Sequence, residues 1–273
     1  MRFSAGALAL LFAVCWWLPA QSQKKSAPAS PPAANNKKAP VPEPPAAPPP
    51  LFFASAYEER LTYGVEWRLI HAGTVMIEKR KGRHVMRLES AGIVSSLFKI
   101  EDVYTVDNDE PFCATSSAMD SMEGKKHHET HVTFDRARNH ASFVERDLVN
   151  NTLLHEAGTD IPNCVSDVIG GIAKLRSLNV PPGQSAQIPL SDGRRFANVK
   201  VQAQQREEIK TAAGTYQAIR YDADLMNGVV YTRKGQVLLW ISDDARRLPV
   251  QIQLRTSFPV GTVTLQLEKE EHP

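Results

Sequence analysis

A chain of 273 residues has room for one sizeable domain or two small ones, and its formal net charge of +2 conceals an uneven distribution. Residues 51–273 hold 27 Lys and Arg against 29 Asp and Glu, a net of −2; the basic excess comes from Arg2, Lys24, Lys25, Lys37 and Lys38, less Glu43. The part that folds therefore carries no electrostatic footprint for nucleic acid.

Met1-Arg2 supplies a short positive start, Ala5 to Leu18 an apolar core, and Leu18-Pro19-Ala20 a small residue before Gln21. This is the pattern of a secretory signal peptide over residues 1–20, and its apolar run is short for a spanning helix of roughly 20 residues. Cys15 raises a lipoprotein alternative, against which Val14 stands where a small residue is wanted. An uncleaved leader, with Trp16 and Trp17 at the membrane interface, is the other alternative. Residues 21–50 contain ten prolines and seven alanines with no aromatic residue, a composition that cannot bury enough apolar surface to order itself. A disordered Pro/Ala-rich linker over 21–54 is expected. As polyproline II, at about 3.1 Å per residue, it reaches at most roughly 90 Å, long enough to lie near cell-wall polymer.

A single β-rich domain over 55–271 follows, since no second linker interrupts the chain. Leu61, Tyr63, Val65, Trp67 and Leu69 share one face, with Thr62, Glu66 and Arg68 on the other. Further strands are predicted at 75–80, 84–90, 99–107, 112–119, 126–135 and 140–146. Turn signals such as Lys81-Gly82, Asp107-Asn108 and Arg138-Asn139 separate them. One helix is predicted over 165–178, from the stripe Val165, Val168, Ile169, Ile172 and Leu175. Asn163 or Ser166 is available to cap it, and Asn179 with Pro181-Pro182-Gly183 ends it. Gly170-Gly171 inside it costs about 1 kcal/mol per glycine relative to Ala, which a close approach to the sheet would explain.

Strands resume at 186–189, 196–209, 214–225 and 235–241. Val237 to Ile241 is apolar at every position, as in a strand covered on both faces, for example under a helix. The polar corner Ser242 to Arg247 leads into two alternating strands, with Leu248, Val250, Ile252 and Leu254 on one face and then Val263, Leu265 and Leu267. Such a meander needs closure, because open edges invite pairing with other chains. The expected fold is mainly β: an antiparallel, strongly curved sheet or barrel-like shell with the one short helix packed against or plugging it.

A resemblance rests on motif order. Leu175-Arg176, Gly183, Asp192-Gly193, Ala213-Gly214-Thr215-Tyr216, Trp240-Ile241-Ser242-Asp243-Asp244 and Leu248-Pro249-Val250 succeed one another. Before them stand Leu61-Thr62-Tyr63 with Ala72-Gly73, and Glu123-Gly124 ahead of Thr133-Phe134-Asp135. This order resembles the bacterial exported family known as domain of unknown function 3108, over most of residues 57–270. The resemblance implies an envelope location and a β-rich fold, and supplies no catalytic residue.

Imidazoles with a carboxylate are what zinc requires, so His127 and His131, with Glu129, are weak metal candidates. Val132 and Phe134 set the inward phase, however. His127, Glu129 and His131 then point outward, and positions four apart on a strand lie about 13 Å from each other. No metal and no cofactor is expected. Asp243 and Asp244 pair two carboxylates, but Arg246 and Arg247 beside them would hold both ionised; a structural corner formed by Trp240, Asp243, Asp244, Arg246 and Pro249 is the expected role. Asp102, Tyr104 and Asp167 read as structural polar residues. Once the leader is removed only Cys113 and Cys164 remain. In an oxidising compartment they would form a bridge worth roughly 4 kcal/mol in the chain-entropy model, the alternative being two free thiols. Two function classes follow: a non-catalytic periplasmic module binding an apolar, amphiphilic or lipid-like ligand or an envelope protein, and a hydrolase acting on envelope polymers. A deep apolar cavity favours the first, converging carboxylates and histidine the second.

Overall fold

Period-two alternation runs through most of the chain, and in the computed structural model it becomes one sheet. The structure describes residues 58–109, 112–257 and 260–272; the expected signal peptide and linker lie outside them. The first arm comprises β1 (Glu59–Trp67), β2 (Ile70–Arg80), β3 (Arg83–Ser90), β4 (Ile100–Asp109), β5 (Cys113–Glu123), β6 (Lys126–Asp135), β7 (His140–Asp147) and β8 (Thr152–Asp160), with the short helix α1 (Gly92–Leu97) between β3 and β4. After α2 (Val168–Leu178) comes the second arm: β9 (Ser185–Ser191), β10 (Phe196–Thr211), β11 (Gly214–Ala223), β12 (Gly235–Ser242), β13 (Pro249–Thr256) and β14 (Thr262–Glu271). The strands form a 14-stranded antiparallel sheet in the order β8 to β1, then β14 to β9. The first and last strands are therefore neighbours at its middle, and both edges come from mid-chain.

The stretch joining those two edges draws them together. The Ala114 N–H donates to the Val165 carbonyl (2.7 Å), the Ser166 N–H to that of Pro189 (2.9 Å), and the Ser191 N–H to that of Ser166 (3.0 Å). Residues 163–167 thus lie between the start of β5 and the end of β9, where the Ser166 hydroxyl also donates to the Phe112 carbonyl (2.9 Å). Beside them Cys113 and Cys164 form a disulfide with Cα atoms 4.9 Å apart. The β9–β10 turn reaches across to the inner face of β6 and β7, where the Arg194 guanidinium lies 5.0 Å from the Phe143 ring centroid. At its tip Gly193 has φ +85°, and a Cβ there would sit 2.5 Å from a Val132 methyl. Only glycine suits both the left-handed backbone and the contact.

Helix α2 begins at Val168, three residues later than the periodicity predicts. Asp167 caps it, accepting from the N–H groups of Ile169 (3.0 Å) and Gly170 (2.8 Å). Neither Asn163 nor Ser166 does so, since that stretch is engaged in joining β5 to β9. Asn179 ends the helix in the left-handed conformation, φ 43°. On β12, Leu238, Leu239, Trp240 and Ile241 are all buried. The expected helix is only half of the cover. Leu239 faces inward, toward α2, while the outer face is roofed by the β10–β11 hairpin, which bends at a register shift between Ala203 and Arg206. The hairpin is held there by Trp240 Nε1, which donates to Glu207 (2.8 Å), and by the Ala213 N–H, which donates to the Leu267 carbonyl (3.3 Å).

Candidate functional site

Helix α2 packs closely on its surroundings at two glycines. Ile169, Ile172 and Leu175 descend from the helix onto the sheet, but between them stand Gly170 and Gly171. A Cβ on Gly171 would lie 2.6 Å from a Leu190 methyl, and one on Gly170 2.8 Å from Asp167 Oδ1. Gly171 thus lets the helix backbone approach Leu190 on β9, and Gly170 lets it approach Asn108 and Phe112. Beneath α2 lies a cavity of ≈ 90 Å³ walled by side chains such as Met86, Val201, Ala223, Leu239 and Ile252, with no charged residue in its lining. Most of the concavity expected from the alternating strands is filled by the sheet's own side chains. The remainder is small beside ligand pockets of roughly 300–1,000 Å³.

The cavity adjoins a second hollow of ≈ 380 Å³; Ile77, Ile169, Ile172 and Ile252 line both. The outer hollow, unlike the inner cavity, carries charged residues in its lining: Lys79, Arg176, Arg246 and Arg247 with Glu58 and Glu59. Arg176, in the last turn of α2, latches the helix across this mouth. Its two terminal nitrogens donate to Glu59 (2.6 and 2.8 Å), and its Nε donates to the Arg247 carbonyl (2.8 Å). Burial pushes the Glu59 carboxyl up, but the hydrogen bonds and charge of Arg176 outweigh it and hold the group below its ordinary value. Behind the latch Tyr63 is wholly buried, donates to the Pro249 carbonyl (2.9 Å), and has its hydroxyl pKa raised by that burial.

The corner between β12 and β13 forms the far wall. Asp244 Oδ1 accepts from the Ser242 hydroxyl (2.8 Å) and from the N–H groups of Arg246 (3.1 Å) and Arg247 (3.2 Å), and the Leu248 N–H donates to the Ser242 hydroxyl (2.8 Å). Asp243 accepts from Arg206 (2.6 Å), and Arg246 pairs with Asp244 and Glu270. Both carboxylates are thereby tied to cations. Arg247 is different: its backbone is left-handed, φ 52°, and its side chain turns inward until the residue is only 9% exposed. Nη2 donates to the Tyr221 hydroxyl (2.8 Å), while Nε and Nη1 donate to no described residue, the Asp243 carboxylate standing 3.9 Å from Nη1. Sequence reasoning treated Arg247 only as a neighbour of the Asp pair. Two successive arginines before Leu-Pro were the available signal.

The first arm carries buried acids on its inner face. Burial pushes the carboxyls of Asp102 and Glu145 up to about 7 each. His128 lies 3.3 Å and His155 3.8 Å from the Glu145 carboxylate, and burial lowers the His128 pKa. Asp102 and Glu145 stand on β4 and β7, three strand spacings or roughly 14 Å along the sheet, wider than the carboxyl pairs of glycoside hydrolysis. His127 and His131 are not brought together: His127 lies 2.8 Å from Asp120, and His131 lies 3.1 Å from Glu129. Among the described residues no group of three or more His, Cys, Asp or Glu is placed to hold a metal ion.

Residues 60–268 match the family described as "Protein of unknown function (DUF3108)". No curated protein matches the chain. Among solved structures, a β-barrel-like protein of domain of unknown function DUF1849 from Brucella abortus is similar at 8% identity and TM-score 0.49, over 80% of this chain and 98% of that one. A DUF1089 family protein from Pseudomonas aeruginosa is similar at 12% identity and TM-score 0.39, over 67% of this chain and 90% of the other.

Proposed function

The chain belongs to the DUF3108 family, and from that premise we propose that it is an exported, non-catalytic cell-envelope module that takes an apolar or amphiphilic chain beneath α2. The leader-like start and Pro/Ala-rich stretch support export, and so does the Cys113–Cys164 bridge, since disulfides persist in oxidising compartments. The observation that carries the ligand reading is the uncharged cavity beneath α2. Apolar cavities of this kind stay dry and accept apolar guests.

At ≈ 90 Å³ the cavity admits a short stretch of alkyl chain as it stands. A longer chain enters as α2 lifts, and the helix is suited to this: an 11-residue rod, about 16 Å long, latched at its C-terminal turn by Arg176 rather than buried on all sides. The hydrolase alternative draws no support from the carboxylates, which are tied to arginines at the corner and separated on the first arm.

The test is a titration of the full chain with a fluorescent fatty-chain probe, repeated on Ala223→Phe, which puts a ring into the cavity. Saturable one-to-one binding that weakens about tenfold or more in a variant with an unchanged circular dichroism spectrum is the expected result. Absence of saturable binding to the wild type overturns the reading.

A further inference from the structure

We infer that one rim of the first arm, formed by the β1–β2, β3–β4, β5–β6 and β7–β8 connections, docks onto the surface of a lipid bilayer with anionic headgroups. This goes beyond the chain-binding reading and does not depend on it.

The first observation is where exposed apolar side chains fall. Among the described residues ten large apolar side chains are exposed, and nine of them gather at one end of the first arm. The antiparallel strand order sets the four connections side by side along that end. Leu69 and Ile70 stand at β1–β2, Ile93 and Leu97 on α1 in the β3–β4 connection, and Leu148 and Val149 at β7–β8. The other three lie near the same ends of β5 and β8, and the tenth, Leu178, ends α2. Single exposed apolar residues are ordinary, whereas a gathered set marks an interaction surface.

The second observation is that these side chains do nothing for the fold. Arg68 and Leu69 are the two residues of the β1–β2 loop, with φ 50° and 67°, a conformation that Asn-Gly adopts with least strain. Leu69 there is 96% exposed. In α1 Val94 is buried, while Ile93 and Leu97, four residues apart on another face, are 61% and 80% exposed. The helix thus turns an apolar face to solvent. The Ala91 N–H donates to the Ala72 carbonyl (2.8 Å), which sets α1 beside the β1–β2 hairpin.

The third observation, composition and charge, selects the occupant. Hot spots of protein interfaces are enriched in Trp, Tyr and Arg and poor in Leu and Val, whereas all nine residues here are Leu, Ile, Val or Met. The connections, residues 68–69, 91–99, 124–125 and 148–151, contain Arg68, Lys99 and Lys125 and no Asp or Glu. Lys99 pairs with Glu101 on β4 (2.7 Å), and Glu89, Glu123 and Asp147 stand behind the tips, within the strands. Cations outermost among aliphatic tips suit an anionic leaflet, where basic groups meet headgroups and Leu enters the acyl boundary. Trp67, half-buried below the β1–β2 loop with its ring 5.1 Å from the Arg68 guanidinium, stands where an interfacial aromatic belongs. The charged hollow beside α2 is built from the opposite strand ends, among them Glu59, Lys79 and Pro249. A docked protein therefore keeps that mouth turned away from the bilayer.

Flotation of the full chain with phosphatidylethanolamine–phosphatidylglycerol vesicles tests this, comparing the wild type with Leu69→Asp combined with Leu97→Asp. The expected result is wild-type binding that falls about tenfold or more in the double variant and on pure phosphatidylcholine vesicles. Leu178→Asp, off the rim, should stay within about twofold of wild type. Leu148→Asp combined with Val149→Asp repeats the test at the far side of the rim, and unchanged circular dichroism spectra certify the folds. A wild type that does not float overturns the inference. Equal flotation of the wild type and both double variants also overturns it, placing attachment outside the rim. Equal flotation on phosphatidylcholine overturns the anionic headgroup. A wild type that stays off vesicles but forms a dimer lost in Leu69→Asp combined with Leu97→Asp makes the rim an interface between copies of this chain and overturns the bilayer.

Discussion

Strands β12 and β8 belong to one sheet and have opposite surroundings. On β12 the residues from Leu238 to Ser242 are buried on both faces, one toward α2 and the cavity, the other under the β10–β11 hairpin. On β8 every residue but Thr159 is exposed, and among the described residues its outer edge pairs with no other strand. The difference shows where the fold spends its covering elements. Residues 163–167 and the disulfide join β5 to β9, so that α2 and the β9–β10 turn fall inside the curl, while β8 lies beyond the junction. An exposed edge is a pairing hazard, and β8 counters it with His155, Glu156 and Asp160 and with a register shift against β7 between Glu145 and Arg146.

The largest effect should come from enlarging the cavity at β12. Leu239→Ala is expected to cost about 2–5 kcal/mol in urea unfolding, whereas Leu153→Ala on β8 should stay within about 0.5 kcal/mol. Similar costs at the two sites would break the contrast. Next is the junction between the arms. Replacing Cys113 and Cys164 together by Ala should lower stability by about 2–4 kcal/mol, and if the bridge holds the curl, hydrogen exchange should rise at β5, β9 and α2 more than at β1 and β14.

A third expectation separates the arms by pH. Asp102 and Glu145 have folded pKa values raised by burial to about 7, above their unfolded values. Their contribution is complete below the unfolded pKa, near pH 4, and is lost as pH rises through about 7. Asp102→Asn should therefore stabilise the protein by about 1–3 kcal/mol at pH 8 relative to wild type, and by much less at pH 5. Thermal melts showing the same difference at both pH values would contradict it. The smallest effect belongs to the edge: Leu153→Lys should change unfolding free energy by less than about 0.5 kcal/mol.

Strand phase was legible because most strands have one wet and one dry face; Leu61, Tyr63 and Val65, or Ile252 and Leu254, read directly into the core. Strand β8 was not, because a strand exposed on both faces has no phase, and Leu153-Leu154 followed by His155-Glu156 resembles a loop. Helix α1 is six residues, too short for a period to register. The cap of α2 was misplaced because Ser166 is spent on Phe112 and Pro189, partners far along the chain. Arg247 escaped for the same reason. Its inward turn depends on Tyr221, 26 residues earlier, and on a left-handed backbone, neither of which local pattern reveals.

The central claim is that the space beneath α2 holds an apolar chain. Native mass spectrometry of protein gently extracted from its own envelope tests it most directly. The account predicts a bound species of alkyl-chain character in the wild type, lost in Ala223→Phe; a consistently ligand-free wild-type mass would contradict it.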